Sequence, residues 1–176
     1  MGLDMINVSN DRMQQIRYTG ITEQELSLLG KHQYSFKRIV HAVVDELYER
    51  ILEQPQLKHI IEQHSTLERL KETQRWYFLS LTEGKIDDAF IERRLHVGHV
   101  HSRIGLNSDW FLGTFILYLD IAIMHLKKDI PDNWIQLTHA ITKLFNLDAQ
   151  LVLEAYQKIE KQKVEYLVDE QQVLLA

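Results

Sequence analysis

Three of the nine histidines, His96, His99 and His101, fall within six positions of one segment, Phe90 to Trp110 (FIERRLHVGHVHSRIGLNSDW). Imidazole is a common metal ligand and proton carrier, so their relative directions decide whether they share one ligand. At about 100° per residue in a helix, His96 and His99 lie about 60° apart, whereas His101 points about 160° away from His99. The three side chains therefore cannot hold one ion together.

His101 shares its helical face with Val97 and Ile104, and is therefore a single imidazole in an apolar stripe. A buried core histidine that bonds a backbone carbonyl is one interpretation. The other is a proximal ligand of haem iron, because the porphyrin needs an apolar slot and the iron a neutral nitrogen. Under that interpretation Gly98 leaves room for the macrocycle, and the second ring nitrogen donates to the Val97 carbonyl.

His96 and His99 support a rival hypothesis, a zinc site completed by Glu92 one turn earlier. Structural zinc requires four ligands, and no second cluster of acidic or histidine residues completes the set. We therefore expect both histidines on a solvated face.

The composition predicts one all-α domain. The chain has 176 residues, of which 45% are hydrophobic, and only seven glycines and two prolines. There is no cysteine, which excludes disulfides and thiolate metal sites and fits a cytoplasmic location. The net charge of −5 is spread without a one-signed patch, so nucleic acid is not expected as a partner.

Residues that typically begin or end helices divide the chain into seven predicted helices. Thr22 and Glu25 form a capping-box pattern, and Pro55 ends one long apolar-periodic helix and begins a shorter one. Asp87 and Asp88 suit the start of the helix that carries His101. The segment from Trp110 to Leu126 is apolar, but it is short for a membrane span and contains Asp120, so we expect a buried helix and no membrane insertion. The predicted helices run over 22–30, 34–53, 55–64, 66–82, 87–104, 110–128 and from 131 onward.

A family resemblance follows from these residues. GHVHSRIGLNSDWFLGTF resembles the proximal segment of globin-coupled sensors, in which a histidine three residues before Ile-Gly-Leu holds the haem and a tryptophan opens the next helix. The likeness extends over HAVVDELYERI, IIEQHSTLERLKET, IDDAFIERR and NLDAQLVLEAYQ, from about residue 30 to 160. It is greatest with the haem-based aerotactic transducers of bacilli.

The resemblance implies a globin fold that lacks the short fourth helix and has an extra N-terminal helical segment. It implies haem b (iron protoporphyrin IX) as cofactor, with His101 as its iron ligand, and dioxygen as ligand, with carbon monoxide and nitric oxide as alternatives. The other residues expected to contact the cofactor or its ligand are Tyr48, Leu70, Thr73, Val97, Gly98, Ile104 and Trp110.

Tyr48 and Thr73 fall on the family's distal positions, where a hydroxyl donor stabilises bound dioxygen. The alternatives are a tyrosine that only packs in the core and a helical threonine that bonds its own backbone. His64 matches a histidine near the haem edge, and is either a propionate neighbour or a surface residue. Phe111 departs from relatives that have tyrosine there, and Leu47 from some that have phenylalanine.

The function implied is that of a dioxygen sensor domain, not an enzyme, which signals to an output domain in aerotaxis or chemotaxis. We expect a flexible arm or a loosely docked extension at 1–20, the globin domain at 21–158 and, at 159–176, an extension of the last helix toward a missing signalling domain. Alternatives are a dioxygen store, a nitric oxide dioxygenase, the sensor of a cyclase, and a haem-free helical scaffold.

The resemblance also implies a homodimer in which the last two long helices form a four-helix bundle with their copies. The apolar residues expected to supply that surface are Trp110, Leu117, Ile121, Leu144, Leu151 and Tyr156. A shift at His101 is expected to reach the interface through Ile104 and Trp110.

Overall fold

The computed structural model describes residues 4–176, and within them it is almost entirely helical, which confirms the all-α prediction. Two short strands, β1 (Ile6–Asn7) and β2 (Ile86–Asp87), pair in parallel. The helices are α1 (Asn10–Thr19), α2 (Glu23–Lys31), α3 (Gln33–Leu52), α4 (Pro55–His64), α5 (Leu67–Ser80), α6 (Asp88–Arg103), α7 (Ser108–Asp129) and α8 (Trp134–Leu175).

The sequence predicts a flexible arm or a loosely docked extension over residues 1–20, and in this structure residues 10–19 form α1, which packs on α8. Residues 1–3 lie outside the described part. The Ser9 hydroxyl caps α1, and Gly20 ends it with a positive φ of 79°. Ile16 is fully buried, and Arg12 makes a two-pronged ion pair with Glu154 of α8, at 2.7 and 2.9 Å. One apolar anchor and these polar contacts are enough to dock a segment whose composition is mostly polar.

Local caps begin the helices where the sequence predicts them. The Thr22 and Glu25 capping box is present, and the Thr66 hydroxyl accepts the Arg69 N–H at 3.3 Å. The Asp87 carboxylate accepts the Phe90 N–H at 2.9 Å and so caps α6. Only residues 65–66 separate α4 from α5, which agrees with the absence of a short fourth helix.

Helices α6 and α8 cross at Gly98. A Cβ atom added there would lie 2.7 Å from the Ala155 Cβ and 2.9 Å from the Val152 carbonyl oxygen. The prediction that Gly98 leaves room for a macrocycle is therefore wrong in this structure, because the missing side chain makes room for α8.

Helix α7 is long and apolar enough, by length and composition alone, to cross a membrane. Only Tyr118, Ile121, Ala122 and Leu126 are buried, and Ile116 and Met124 are exposed, so the helix that was predicted to be buried is buried on one face. Helix α8 has its last buried residue at Tyr156, and residues 160–176 are exposed along their whole length.

Candidate ligand-binding cavity

A mostly apolar cavity of about 210 Å³ lies between α3, α4, α5, α6 and α7, with part of α8 behind it. His101 lies in its wall, and so do Tyr48, Leu70, Val97 and Ile104 from the predicted set. The other apolar side chains of the wall are Leu47, Ile51, Leu57, Ile60, Ile61, Leu106, Phe111, Phe115 and Val152.

His101 is held as a neutral imidazole. Its Nδ1 lies 2.7 Å from the Val97 carbonyl oxygen. Because a carbonyl only accepts, the ring proton lies on Nδ1 and the Nε2 lone pair stays free. Burial lowers the pKa of His101, and the hydrogen bond to Val97 opposes that shift only in part. The side chain therefore offers one neutral nitrogen donor in an orientation fixed by its own helix.

The end of α6 places His101 in the last helical turn. Gly105 has φ +87°, its N–H donates to the Ser102 carbonyl at 3.2 Å, and the Leu106 N–H donates to the His101 carbonyl at 3.2 Å. This pair of hydrogen bonds is the Schellman motif, which requires a residue with positive φ at the position that Gly105 occupies. The main chain of His101 is therefore tied to the loop at residues 104–107.

Phe111, and not Trp110, contacts the histidine from α7. The Phe111 ring meets the His101 ring edge to face, with centroids 4.8 Å apart and planes at 73°. Trp110 does not line the cavity, and its main-chain N–H donates to the Asp109 carboxylate at 2.9 Å. One residue is about 100° of helical rotation, and that rotation brings Phe111 to the cavity wall, whereas a contact of Trp110 with the cofactor stays a prediction.

Tyr48 lies on the opposite wall with a free hydroxyl. The side chain is buried, and its hydroxyl has no hydrogen-bond partner within residues 4–176. Burial raises the pKa of Tyr48, which keeps the phenol protonated and able to donate. The Tyr118 hydroxyl is also buried without a partner among the described residues, and its ring lines the same cavity.

Thr73 lies outside the cavity. It is exposed, and its hydroxyl donates to the Arg69 carbonyl at 3.0 Å, four residues earlier in α5. The prediction that Thr73 contacts the ligand is therefore not met by this geometry, and the backbone-bonded alternative describes it. The inward face of α5 consists of Leu70, Gln74 and Tyr77, at the i, i+4, i+7 spacing of one helical face.

His64 lines the mouth of the cavity at the end of α4 and is exposed, so it combines both interpretations made from the sequence. His96 is exposed and His99 half-buried. Residues 4–176 contain no group of three or more His, Cys, Asp or Glu side chains placed to hold a metal ion, which removes the zinc hypothesis with Glu92.

A buried ion pair in the inner wall was not predicted. Arg94 of α6 and Asp148 of α8 are 4% and 2% exposed, and the Arg94 Nε donates to the Asp148 carboxylate at 3.1 Å. The Tyr77 hydroxyl of α5 donates to the other carboxylate oxygen, and Arg94 reaches the Ser80 hydroxyl at 3.3 Å. The Arg94 guanidinium also stacks 3.7 Å from the centre of the Phe90 ring. This network joins three helices around the cavity.

These residues fit a haem group. They supply one neutral imidazole with a fixed ring, an apolar slot beside it, and unpaired hydroxyl donors on the far side. They do not supply the several convergent ligands that a bare metal ion requires.

Comparisons with known proteins agree with this fit. The family model described as Protoglobin matches residues 10–162. The heme-based aerotactic transducer HemAT of Halobacterium salinarum is 25% identical over 171 residues, which cover 90% of this chain and 35% of that protein. The chain therefore spans about a third of the length of this curated relative. The globin domain of a Geobacter sulfurreducens globin-coupled sensor superposes with a TM-score of 0.75 at 23% identity, over 82% of this chain and 97% of that one.

Proposed function

The chain belongs to the protoglobin family, and from this premise we propose that it is a haem-binding sensor domain for dioxygen whose iron ligand is His101. The observation that carries the proposal is the neutral His101 imidazole, hydrogen-bonded at Nδ1 and set in an apolar cavity.

Haem b, when bound, supplies a ferrous iron at which dioxygen, carbon monoxide or nitric oxide bind reversibly. His101 would hold the iron through Nε2, while the Val97 carbonyl fixes the tautomer from the other ring nitrogen. The apolar walls exclude water from the cavity. Leu70 and Ile104 supply part of that wall on the α5 and α6 sides.

Tyr48 is the residue that distinguishes between ligands. The Tyr48 side chain is buried and its hydroxyl is protonated, with no hydrogen bond to another described residue, so it can donate to a ligand that carries partial negative charge. Dioxygen polarises in this way more than carbon monoxide does, and one net hydrogen bond stabilises by about 0.5–1.5 kcal/mol.

The length of the relative and the exposed end of α8 favour a sensor over a store. The named relative is a transducer three times as long as the matched segment, and α8 continues as an exposed helix past the globin body. We assign the span 21–158 to the sensor and 159–176 to a connection with an output domain of aerotactic or chemotactic type.

The dimer surface differs from the one that the sequence predicted. Ile121, Leu144, Leu151 and Tyr156 are buried within the single chain, so they cannot supply it. Up to residue 156, the large apolar side chains of α7 and α8 that are exposed are instead Leu112, Ile116, Met124, Ile135 and Leu153. These two helices remain the proposed contact between copies, through their outer faces.

The dimer is tested by light scattering on Ile116→Asp, with Tyr34→Asp as control, because both side chains are exposed but Tyr34 lies on α3. We expect Ile116→Asp alone to yield a monomer. A dimer that survives this change contradicts the assignment.

The function is tested by visible absorption of the purified protein, reduced and then exposed to dioxygen. We expect a Soret band that shifts on ligand binding and returns when dioxygen is removed. His101→Ala is expected to abolish or strongly weaken haem retention, whereas His99→Ala, on the other face of the same helix, is expected to retain it. Absence of a Soret band in the wild type, or normal haem in His101→Ala, contradicts the proposal.

A further inference from the structure

We propose that Tyr156 of α8 is a positioning residue for His101, and that α8 therefore sets the orientation of the haem ligand directly. This inference rests on the proposed function, because it assumes that His101 holds the haem. The contact of Tyr156 connects the proposed sensor site to α8, the helix that extends beyond the globin domain.

The first connection is a pair of hydrogen bonds through one residue. The Tyr156 hydroxyl donates to the Leu106 carbonyl at 2.8 Å, and the Leu106 N–H donates to the His101 carbonyl at 3.2 Å. Leu106 lies in the four-residue loop between α6 and α7, where its carbonyl has no place in a helical ladder. Tyr156 therefore fixes the loop residue that is bonded to the main chain of His101.

The second connection is made by aromatic rings. Phe111 contacts the His101 ring at 4.8 Å between centroids, and its other neighbours include the Tyr156 ring at 6.5 Å and 53°. Phe111 has no hydroxyl, so it transmits position by packing alone. Tyr156 thus supports both the main chain and the ring of His101, by two routes that share no atoms outside Tyr156.

The main chain of α8 is fixed against α6 at the adjacent residue. Ala155 meets Gly98, three residues before His101, at a distance that leaves no space for a Cβ atom. Tyr156 therefore has little freedom relative to α6. It is buried, and burial raises its pKa to about 12, so the hydroxyl stays protonated and donates at physiological pH.

This arrangement replaces the predicted route through Trp110. Neither Trp110 nor Tyr156 lines the cavity, but Tyr156 is connected to His101 through Leu106 and through Phe111, and it belongs to the helix that extends to Leu175. A displacement of the end of α6 or of the loop at 104–107 must therefore be accommodated at Tyr156.

The test uses the haem-loaded protein and the variant Tyr156→Phe, with Tyr166→Phe as matched control. Tyr166 is on the same helix and its hydroxyl donates to Glu170 at 2.7 Å, but it is exposed and far along the chain from the site. The two readouts are amide hydrogen exchange at Leu106, with and without haem, and the iron–histidine stretching band of the ferrous, ligand-free protein by resonance Raman spectroscopy.

We expect Tyr156→Phe to accelerate exchange of the Leu106 amide by about threefold to tenfold, the effect of losing one hydrogen bond on a local opening equilibrium. We also expect a shifted or broadened iron–histidine band. Tyr166→Phe is expected to change neither. A merely structural role for Tyr156 would lower the melting temperature without moving the band.

A second variant keeps the inference testable if Tyr156→Phe folds poorly. Phe111→Leu removes the ring contact but leaves the Tyr156 hydrogen bond, so we expect it to move the band and leave Leu106 exchange unchanged. An unchanged band and unchanged exchange in Tyr156→Phe with normal haem overturn this inference alone. Haem that is held by a residue other than His101 overturns the proposed function itself.

Discussion

The two walls of the cavity are built differently. On the α6 side, His101 is held by the Val97 carbonyl, the Leu106 amide and the edge of Phe111. On the opposite side, the Tyr48 hydroxyl has no partner among the described residues, and the one polar side chain predicted beside it, Thr73, faces away. The wall that carries the proposed iron ligand is preorganised, whereas the wall that carries Tyr48 keeps its hydroxyl donor free.

Helix α8 is common to both walls. Asp148 receives hydrogen bonds from Tyr77 of α5 and from Arg94 of α6, and so ties the far wall to the near one. The relative position of the two walls therefore depends on a network of Arg94, Asp148 and Tyr77 that spans both.

The largest expected effect comes from breaking this network. Asp148→Asn leaves Arg94 charged, buried and without its partner, so we expect the free energy of unfolding to fall by about 3–5 kcal/mol. Chemical denaturation of the haem-loaded protein measures it. Glu154→Gln is the control, because it breaks the more exposed pair with Arg12 on the same helix, at a cost of about 1 kcal/mol or less.

The double variant Arg94→Met/Asp148→Leu separates charge from packing. We expect it to recover most of the lost stability, since both charges are then removed together. Equal losses in the single and double variants would mean that the pair acts through shape and not through charge.

The next effect concerns the crossing at Gly98. Gly98→Ala forces α6 and α8 apart, and we expect it to be less stable than Gly30→Ala by about 1–3 kcal/mol. Gly30 is also helical, but a Cβ there meets only the Thr82 carbonyl oxygen at an ordinary 3.7 Å. The two variants share the same gain in helix propensity, so their difference in thermal or denaturant unfolding isolates the clash. Equal stability of the two variants would mean that α6 and α8 accommodate a Cβ atom at residue 98 without a clash.

Gly98 and the caps show what the sequence could and could not predict. The helix N-termini capped by Thr22, Thr66 and Asp87 depend on residues two or three positions apart, so a short segment of sequence is enough to predict them. The neighbour of Gly98 is Ala155, and no local pattern distinguishes a glycine that faces a helix from one that faces a cofactor. The globin fold and the role proposed for His101 follow from the residues and the resemblance, whereas the packing partner of Gly98 requires the tertiary structure.

The same limit explains the distal wall and the ion pair. Helix rotation changes by about 100° per residue, so a small error in the orientation of α5 exchanges Thr73 for Gln74 as the residue that faces inward. The spacing of Leu70, Gln74 and Tyr77 could have identified the inward face. Arg94 and Asp148 are 54 positions apart, and each alone resembles a surface charge on a helix.

A smaller effect is expected at the end of α6. Gly105 has φ +87° but a Cβ there would meet nothing within 4 Å, so Gly105→Ala introduces backbone strain alone, of about 1–2 kcal/mol. Gly105→Asn should lose less, because asparagine adopts the left-handed region more readily. Thermal unfolding measures both. A loss that is equal for alanine and asparagine would point to a steric cause and contradict the strain argument.

The smallest effect, and the one that addresses the free wall directly, is that of Tyr48→Phe. Removal of the hydroxyl should accelerate dioxygen release by about threefold to tenfold, the range for one net hydrogen bond, while changing carbon monoxide release less. Stopped-flow displacement measures both rates. Thr73→Val is the matched control, because it also removes one hydroxyl but one that already bonds Arg69 outside the cavity. If Thr73→Val accelerates dioxygen release as much as Tyr48→Phe does, α5 must rotate when the ligand binds, because only then can Thr73 reach the ligand. The wall opposite His101 would then contain a helix that moves on ligand binding.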